Sequence, residues 1–124
     1  MNILFLHQNF PGQFLHLAPA LAQAGHRVSA LTSRVQQPQA WRGVQILPYP
    51  WTDPDKPRHH PWLRLFNTSV QRGEVCLRAM SALAAQGYRP DAVIAHSGWG
   101  EALFVREVWP EVRLGVFSEL FYRA

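Results

Sequence analysis

Two rhythms of apolar and polar residues alternate along this chain. Ile3-Leu4-Phe5-Leu6 is an unbroken apolar run, the pattern of a strand buried on both faces, and predicts a strand over Asn2–His7. Beyond Pro11-Gly12, residues Phe14, Leu17, Ala18, Leu21 and Ala22 fall at i, i+3, i+4, i+7 and i+8, one stripe of a helix. Gly25 is placed to stop it. Pro19 lies within that helix and would remove a backbone bond at a cost of ~3 kcal/mol, so a kink is expected there. Arg27–Thr32 is a second strand, and Val44–Pro48 a third after a Gln-rich loop. From Tyr49 to Pro61 the chain is proline-broken and aperiodic, which reads as a loop.

The slower rhythm returns from about His60 to Gln86. Leu63, Phe66, Val70, Gly73, Leu77, Met80 and Ala84 alternate spacings of three and four, one face of a long helix. Gly73 on that face would allow a neighbour to approach closely, and Gly87 is the stop. Asp91–Ala95 is a fourth strand, Glu101–Trp109 a short helix stopped by Pro110, and Arg113–Phe117 a fifth strand.

The order β-α-β-β-α-β-α-β predicts an α/β fold: an open, doubly wound, mostly parallel Rossmann-like sheet in three layers, with core strand order 3-2-1-4-5. The length of 124 residues fits one domain. Ending just past the fifth strand, the sheet would keep one edge uncovered. A piece of a longer protein is therefore expected, with self-association through that edge.

Composition narrows this picture. Residues are 48% hydrophobic and 16% charged, enough for a real core. No apolar run approaches the roughly 18–20 residues that span a bilayer, and the N-terminus has neither a basic region nor a small-residue cleavage site. Cys76 is the single cysteine, so no internal disulfide can form and a cytoplasmic setting is expected. No Cys/His spacing suits zinc, and no metal or cofactor is expected. A net charge of +4 fits an anionic ligand or peripheral contact with the inner face of a membrane, and equally a compositional bias. Cations are too sparse for a nucleic-acid stripe.

In such sheets ligands sit beyond the carboxyl ends of the strands, at the switch point between the first and fourth. Polar residues gather there: His7 to Gln13 after the first strand, Thr32-Ser33-Arg34 after the second, His96 to Glu101 after the fourth, and Ser118-Glu119 after the fifth. The first loop has neither G-x-G-x-x-G nor a P-loop Lys. Gly12 is nevertheless expected to open a helix whose unpaired N–H groups could seat a diphosphate. Gly98 and Gly100 would let a ligand approach the backbone after His96. Glu101 in a first helical turn is stabilising in any case. His7 and His26 read more readily as structural than as site residues. The aromatics of the Tyr49–Trp62 loop are expected to fold onto the domain.

Asn2-Ile3-Leu4-Phe5-Leu6-His7-Gln8-Asn9-Phe10-Pro11-Gly12-Gln13-Phe14 and Leu17-Ala18-Pro19-Ala20-Leu21 running into Gly25-His26-Arg27-Val28 resemble the opening of bacterial family 4 glycosyltransferases with the GT-B fold. Pro90-Asp91-Ala92-Val93-Ile94-Ala95-His96-Ser97-Gly98-Trp99-Gly100-Glu101 and Gly115-Val116-Phe117-Ser118-Glu119-Leu120-Phe121-Tyr122 look like the same group's later strands and loops. The likeness is weakest from Ser33 to Arg89.

The resemblance implies that residues 1–124 form the N-terminal, acceptor-side domain of a two-domain enzyme, with the donor-binding C-terminal domain absent. It implies a nucleotide-sugar donor, a carbohydrate or lipid-linked acceptor and retention of anomeric configuration. Gly12 would lie near the donor diphosphate. His96 would match the histidine that contacts the donor sugar. Asn9, Gln13, Ser97, Glu101 and Glu119 are the remaining substrate-binding candidates. Glu111 and Glu119 have E-x7-E spacing, but a strand separates them and the family motif belongs to the other domain. The rival reading is a non-catalytic Rossmann-like binding or regulatory domain. A receiver domain is disfavoured, because no acidic cluster follows the first strand.

Overall fold

The computed structural model describes residues 1–52 and 60–118. The strands are β1 (Asn2–Leu6), β2 (Arg27–Thr32), β3 (Gln39–Trp41), β4 (Val44–Pro48), β5 (Ala92–His96) and β6 (Arg113–Phe117), and the α-helices are α1 (Leu17–Gln23), α2 (Arg64–Ala85) and α3 (Val105–Val108). They form one sheet in the order β3-β4-β2-β1-β5-β6. Every pairing is parallel except β3 with β4. The mostly parallel α/β sheet and its central strand order are as predicted.

Period-two alternation along the strands divides the core into two layers. Ile3 and Phe5 of β1 face α1 together with Phe10, Phe14, Ala18, Val28, Ala30, Val44 and Ile46. Leu4 and Leu6 face the opposite layer with Leu31, Tyr49, Cys76, Met80, Val93 and Val105. Burial on both sides is why β1 shows no polar alternation.

Strand β3 was not predicted. It turns into β4 through Arg42-Gly43, both with positive φ (48° and 81°), and Trp41 pairs with Val44. Two positive-φ residues make the tight hairpin turn whose twist matches paired strands. Gln39-Ala40-Trp41 has no apolar alternation to announce it, since both outer residues of this edge strand avoid full burial.

The expected kink at Pro19 is corrected. A 3-10 turn covers Gly12–Phe14, and α1 starts only at Leu17. Pro19 is then the third helical residue, where no intrahelical N–H is yet required. The apolar stripe is real but runs across two pieces of backbone.

The long helix begins at Arg64 after a 3-10 turn at Pro61–Leu63, where His60 Nδ1 accepts from the Trp62 N–H at 3.2 Å. Its buried positions are Arg72, Gly73, Cys76 and Met80. Leu63 and Phe66, on the predicted stripe, are 56% and 70% exposed. At 1.5 Å per residue α2 runs to roughly 33 Å, whereas a five-residue strand reaches about 17 Å. Leading from β4 back to β5, the helix overhangs the carboxyl edge of the sheet with its first turns. The short helix predicted over Glu101–Trp109 is confined to Val105–Val108, with turns before it.

Candidate functional site

The carboxyl ends of β1 and β5 are neighbours, with Leu6 paired to Ala95, so the next residues, His7 and His96, emerge side by side. Both are buried, at 4% and 5% exposure. Their rings lie 4.7 Å apart, centroid to centroid, tilted by 38°. Phe14 meets His7 edge-on at 5.8 Å, and Phe117 lies 6.0 Å from His96. Two imidazoles in tilted contact thus lie at the switch point.

The loop after β1 wraps over the His7 ring. The Asn9 N–H donates to His7 Nδ1 at 2.9 Å, and His7 Nε2 bonds Gln13 Oε1 at 2.6 Å. Gly12, at φ +47°, lies against the same ring: a Cβ there would stand 2.5 Å from His7 Nε2. Asn9, Gly12 and Gln13 are exposed at the rim. Strand β2 braces the loop's first half. Thr32 Oγ1 and Ser33 Oγ both donate to the Gln8 carbonyl, at 2.8 and 3.1 Å, and the Phe10 N–H donates to Thr32 Oγ1 at 3.3 Å.

The helix expected to begin at Gly12 is a single 3-10 turn. Few aligned peptide dipoles stand behind it, so its pull on an anion is weaker than that of a full α-helix. What remains at Gly12 is an exposed backbone that a ligand can approach.

After β5, Ser97 and Gly98 rim the crevice on the β6 side. The Ser97 N–H donates to the Phe117 carbonyl at 3.0 Å, extending the ladder past His96. His96, Ser97, Gly98, Gly100, Ala102, Leu103, Leu114 and Val116 line an open cleft of about 350 Å³. A comparable hollow of about 400 Å³, beside Asp91 and Val112, lies at the amino-terminal edge of the sheet, away from the switch point.

Glu101 is not part of this group. It is fully buried on the α2 side, where its Oε1 accepts from the Tyr49 hydroxyl at 3.1 Å. Burial, reinforced by the Glu101 charge, raises the Tyr49 hydroxyl and the Cys76 thiol far above their ordinary values. The structure therefore separates the predicted site residues. Asn9, Gly12 and Gln13 gather on His7, whose ring lies against His96; Ser97 lines the cleft toward β6 instead; Glu101 serves a buried polar cluster; Glu119 lies outside the described residues.

Arg72, on the same side of the sheet, anchors the loop carrying Ser97 and Gly98. Arg72 Nη1 donates to the Trp99 carbonyl at 2.8 Å, and its guanidinium sits 4.5 Å from the Trp51 ring centre. Gly73 does admit a neighbour: a Cβ there would stand 2.7 Å from the Gly100 carbonyl oxygen. A Cβ on Gly100 would overlap the Ser69 backbone. Of the aromatics in the proline-broken loop, Tyr49 is buried and Trp51 half-buried, but Trp62 is 89% exposed. Sequence reasoning missed Arg72. Its one signal was a cation beside Gly73, on the buried face of an amphipathic helix.

Among the described residues, no three His, Cys, Asp or Glu side chains gather in a group that could hold a metal, and no helix is long and apolar enough to cross a membrane.

Residues 24–124 match the family described as "Glycosyl transferase family 4 group". No curated protein sequence matches the chain. Among solved structures, apo UGT2 of Phytolacca americana superposes with a TM-score of 0.62 at 17% identity, over 94% of this chain and 29% of that one. The same protein complexed with UDP-2fluoro-glucose and pterostilbene gives 0.62 at 18% identity, over 94% and 30%. The C-terminal domain of a hydrogenase from Pyrococcus furiosus gives 0.54 at 18% identity, over 93% and 89%. The chain thus spans under a third of the plant protein's length. At these identities the likeness is one of fold, which different activities share.

Proposed function

We propose that this chain, which belongs to the glycosyl transferase family 4 group, is the N-terminal, acceptor-side domain of a GT-B glycosyltransferase. The whole enzyme would move a sugar from a nucleotide-sugar donor to a carbohydrate or lipid-linked acceptor, with retention. The carrying observation is that His96 lies against His7 at the ends of β1 and β5, and that His7 in turn holds Gly12 and Gln13 of the exposed loop. A donor sugar beside His96 would have its diphosphate near the exposed backbone of Gly12. Stabilising the charge that develops on the departing diphosphate would then be the main chemistry. A bound UDP-sugar in a neighbour of the same fold agrees with this class of donor.

The overhanging start of α2 offers Trp62, Leu63, Leu65 and Phe66, each more than half exposed, beside the same edge of the sheet. An apolar, lipid-linked acceptor would find its non-polar contact there, with the membrane as its source.

The test is nucleotide release from a panel of nucleotide-sugars by the full-length protein, with and without acceptor. Acceptor-dependent release supports the proposal. Absence of release across the panel, from protein shown to be folded, overturns it in favour of a binding domain.

A further inference from the structure

Resting on the reading of this crevice as the transfer site, we infer that His7 is a positioning residue that locks the Asn9–Gln13 loop in place beside His96. A backbone N–H can only donate, so the Asn9 N–H at 2.9 Å makes His7 Nδ1 the acceptor. In the neutral ring the proton is then on Nε2, which donates to Gln13 Oε1 at 2.6 Å. One imidazole therefore ties both ends of a five-residue loop, and reversing its tautomer would break the bond from Asn9 and force the Gln13 amide to turn over.

The rest of the loop is built around that ring. Gly12 lies so close to Nε2 that no side chain fits between them. Thr32 and Ser33 secure Gln8 and Phe10, while His7 carries the bracing on to Gln13. The ring also lies against His96, tilted by 38°. Both ring nitrogens of His7 are engaged by the loop itself, whereas Gly12 and Gln13 above it are exposed. It acts through the loop, in the manner of a supporting residue that holds a site's contact groups in place.

Three measurements on the full-length protein decide the matter. The ring ¹⁵N shifts of His7 should show a protonated Nε2 and an acceptor Nδ1; the opposite tautomer overturns the inference without any variant. His7→Gln offers an amide N–H toward Gln13, while the shorter His7→Asn can accept from Asn9 but falls short of Gln13. Exchange of the Phe14 amide, which donates to the Pro11 carbonyl across Gly12 and Gln13 at 2.8 Å, should be at least tenfold faster in His7→Asn than in His7→Gln at matched melting temperature. The donor KM should rise at least tenfold in His7→Asn and stay within about threefold in His7→Gln. Equal exchange and equal KM in the two variants would make His7 a packing residue and overturn the inference. If the wild-type protein transfers no sugar, the proposed function fails, while the ring shifts and the Phe14 exchange still decide the role of His7.

Discussion

His7 and His96 lie ring against ring, 4.7 Å apart, at the ends of two adjacent parallel strands. Neither is local to the other in sequence. Sheet register brings them together, and the two loops that rim the crevice are the continuations of these same strands.

For His96 the expected effect is on turnover. His96→Ala in the full-length protein should lower kcat about 100-fold, about 2.7 kcal/mol of transition-state stabilisation, with a much smaller rise in donor KM. Steady-state kinetics and melting temperature on one preparation check this. A variant that melts early yet turns over normally would remove His96 from the chemistry.

Gly12→Ala should cost stability through two causes: the left-handed backbone at φ +47° and the contact of the new Cβ with His7. The backbone part costs about 1–2 kcal/mol. The contact part should shrink in a His7→Ala background, giving a coupling of about 0.5–3 kcal/mol in a double-mutant cycle. Strictly additive costs would show that the two residues do not press on each other.

Tyr49→Phe should destabilise the fold by about 1–3 kcal/mol, because it leaves Glu101 Oε1 buried without its donor. As Glu101 lies on the α2 side of the sheet, donor KM in the folded enzyme should stay within about twofold of wild type. Denaturant melts alongside kinetics separate these effects, and a large KM change would place this cluster in the substrate site.

Stability should also fall at alkaline pH. Cys76 and Tyr49 have folded pKa values raised by burial above ordinary values of 9.0 and 10.0. Above pH 9 the unfolded chain releases protons that the folded chain keeps, so the unfolded state binds fewer protons and stability declines as pH rises. Cys76→Ala should flatten the first part of that decline. Denaturant melts between pH 7 and 11 test it, and an unchanged slope would show that Cys76 does not contribute.

Among the described residues strand β6 ends the sheet order, with Val116 49% and Phe117 43% exposed. The 124-residue chain expressed alone should self-associate through this edge, and Val116→Lys should shift it toward monomer by placing a charge there. Sedimentation at several concentrations reads this directly. A wild-type chain that stays monomeric throughout would show that β6 is not an adhesive edge.

The apolar rhythm of the chain by itself located the five parallel strands and the polar loops at their carboxyl ends, and the crossover rules for such sheets supplied their order. Burial on two faces makes a strand continuously apolar, and burial on one face gives a helix its stripe, so both can be read one residue at a time. The hairpin strand β3 was not legible, because an edge strand beside a tight turn needs no apolar alternation. The exposed start of α2 was not legible either: periodicity reports which face of a helix could be buried, but not whether the sheet beneath is long enough to bury it. Tertiary structure alone decided that Glu101 turns away to Tyr49 while His7, five residues before Gly12, supports the loop above it. Hydrogen-bond partners and the side of a sheet that a loop residue takes depend on register between distant strands, and no local pattern in the chain encodes that register.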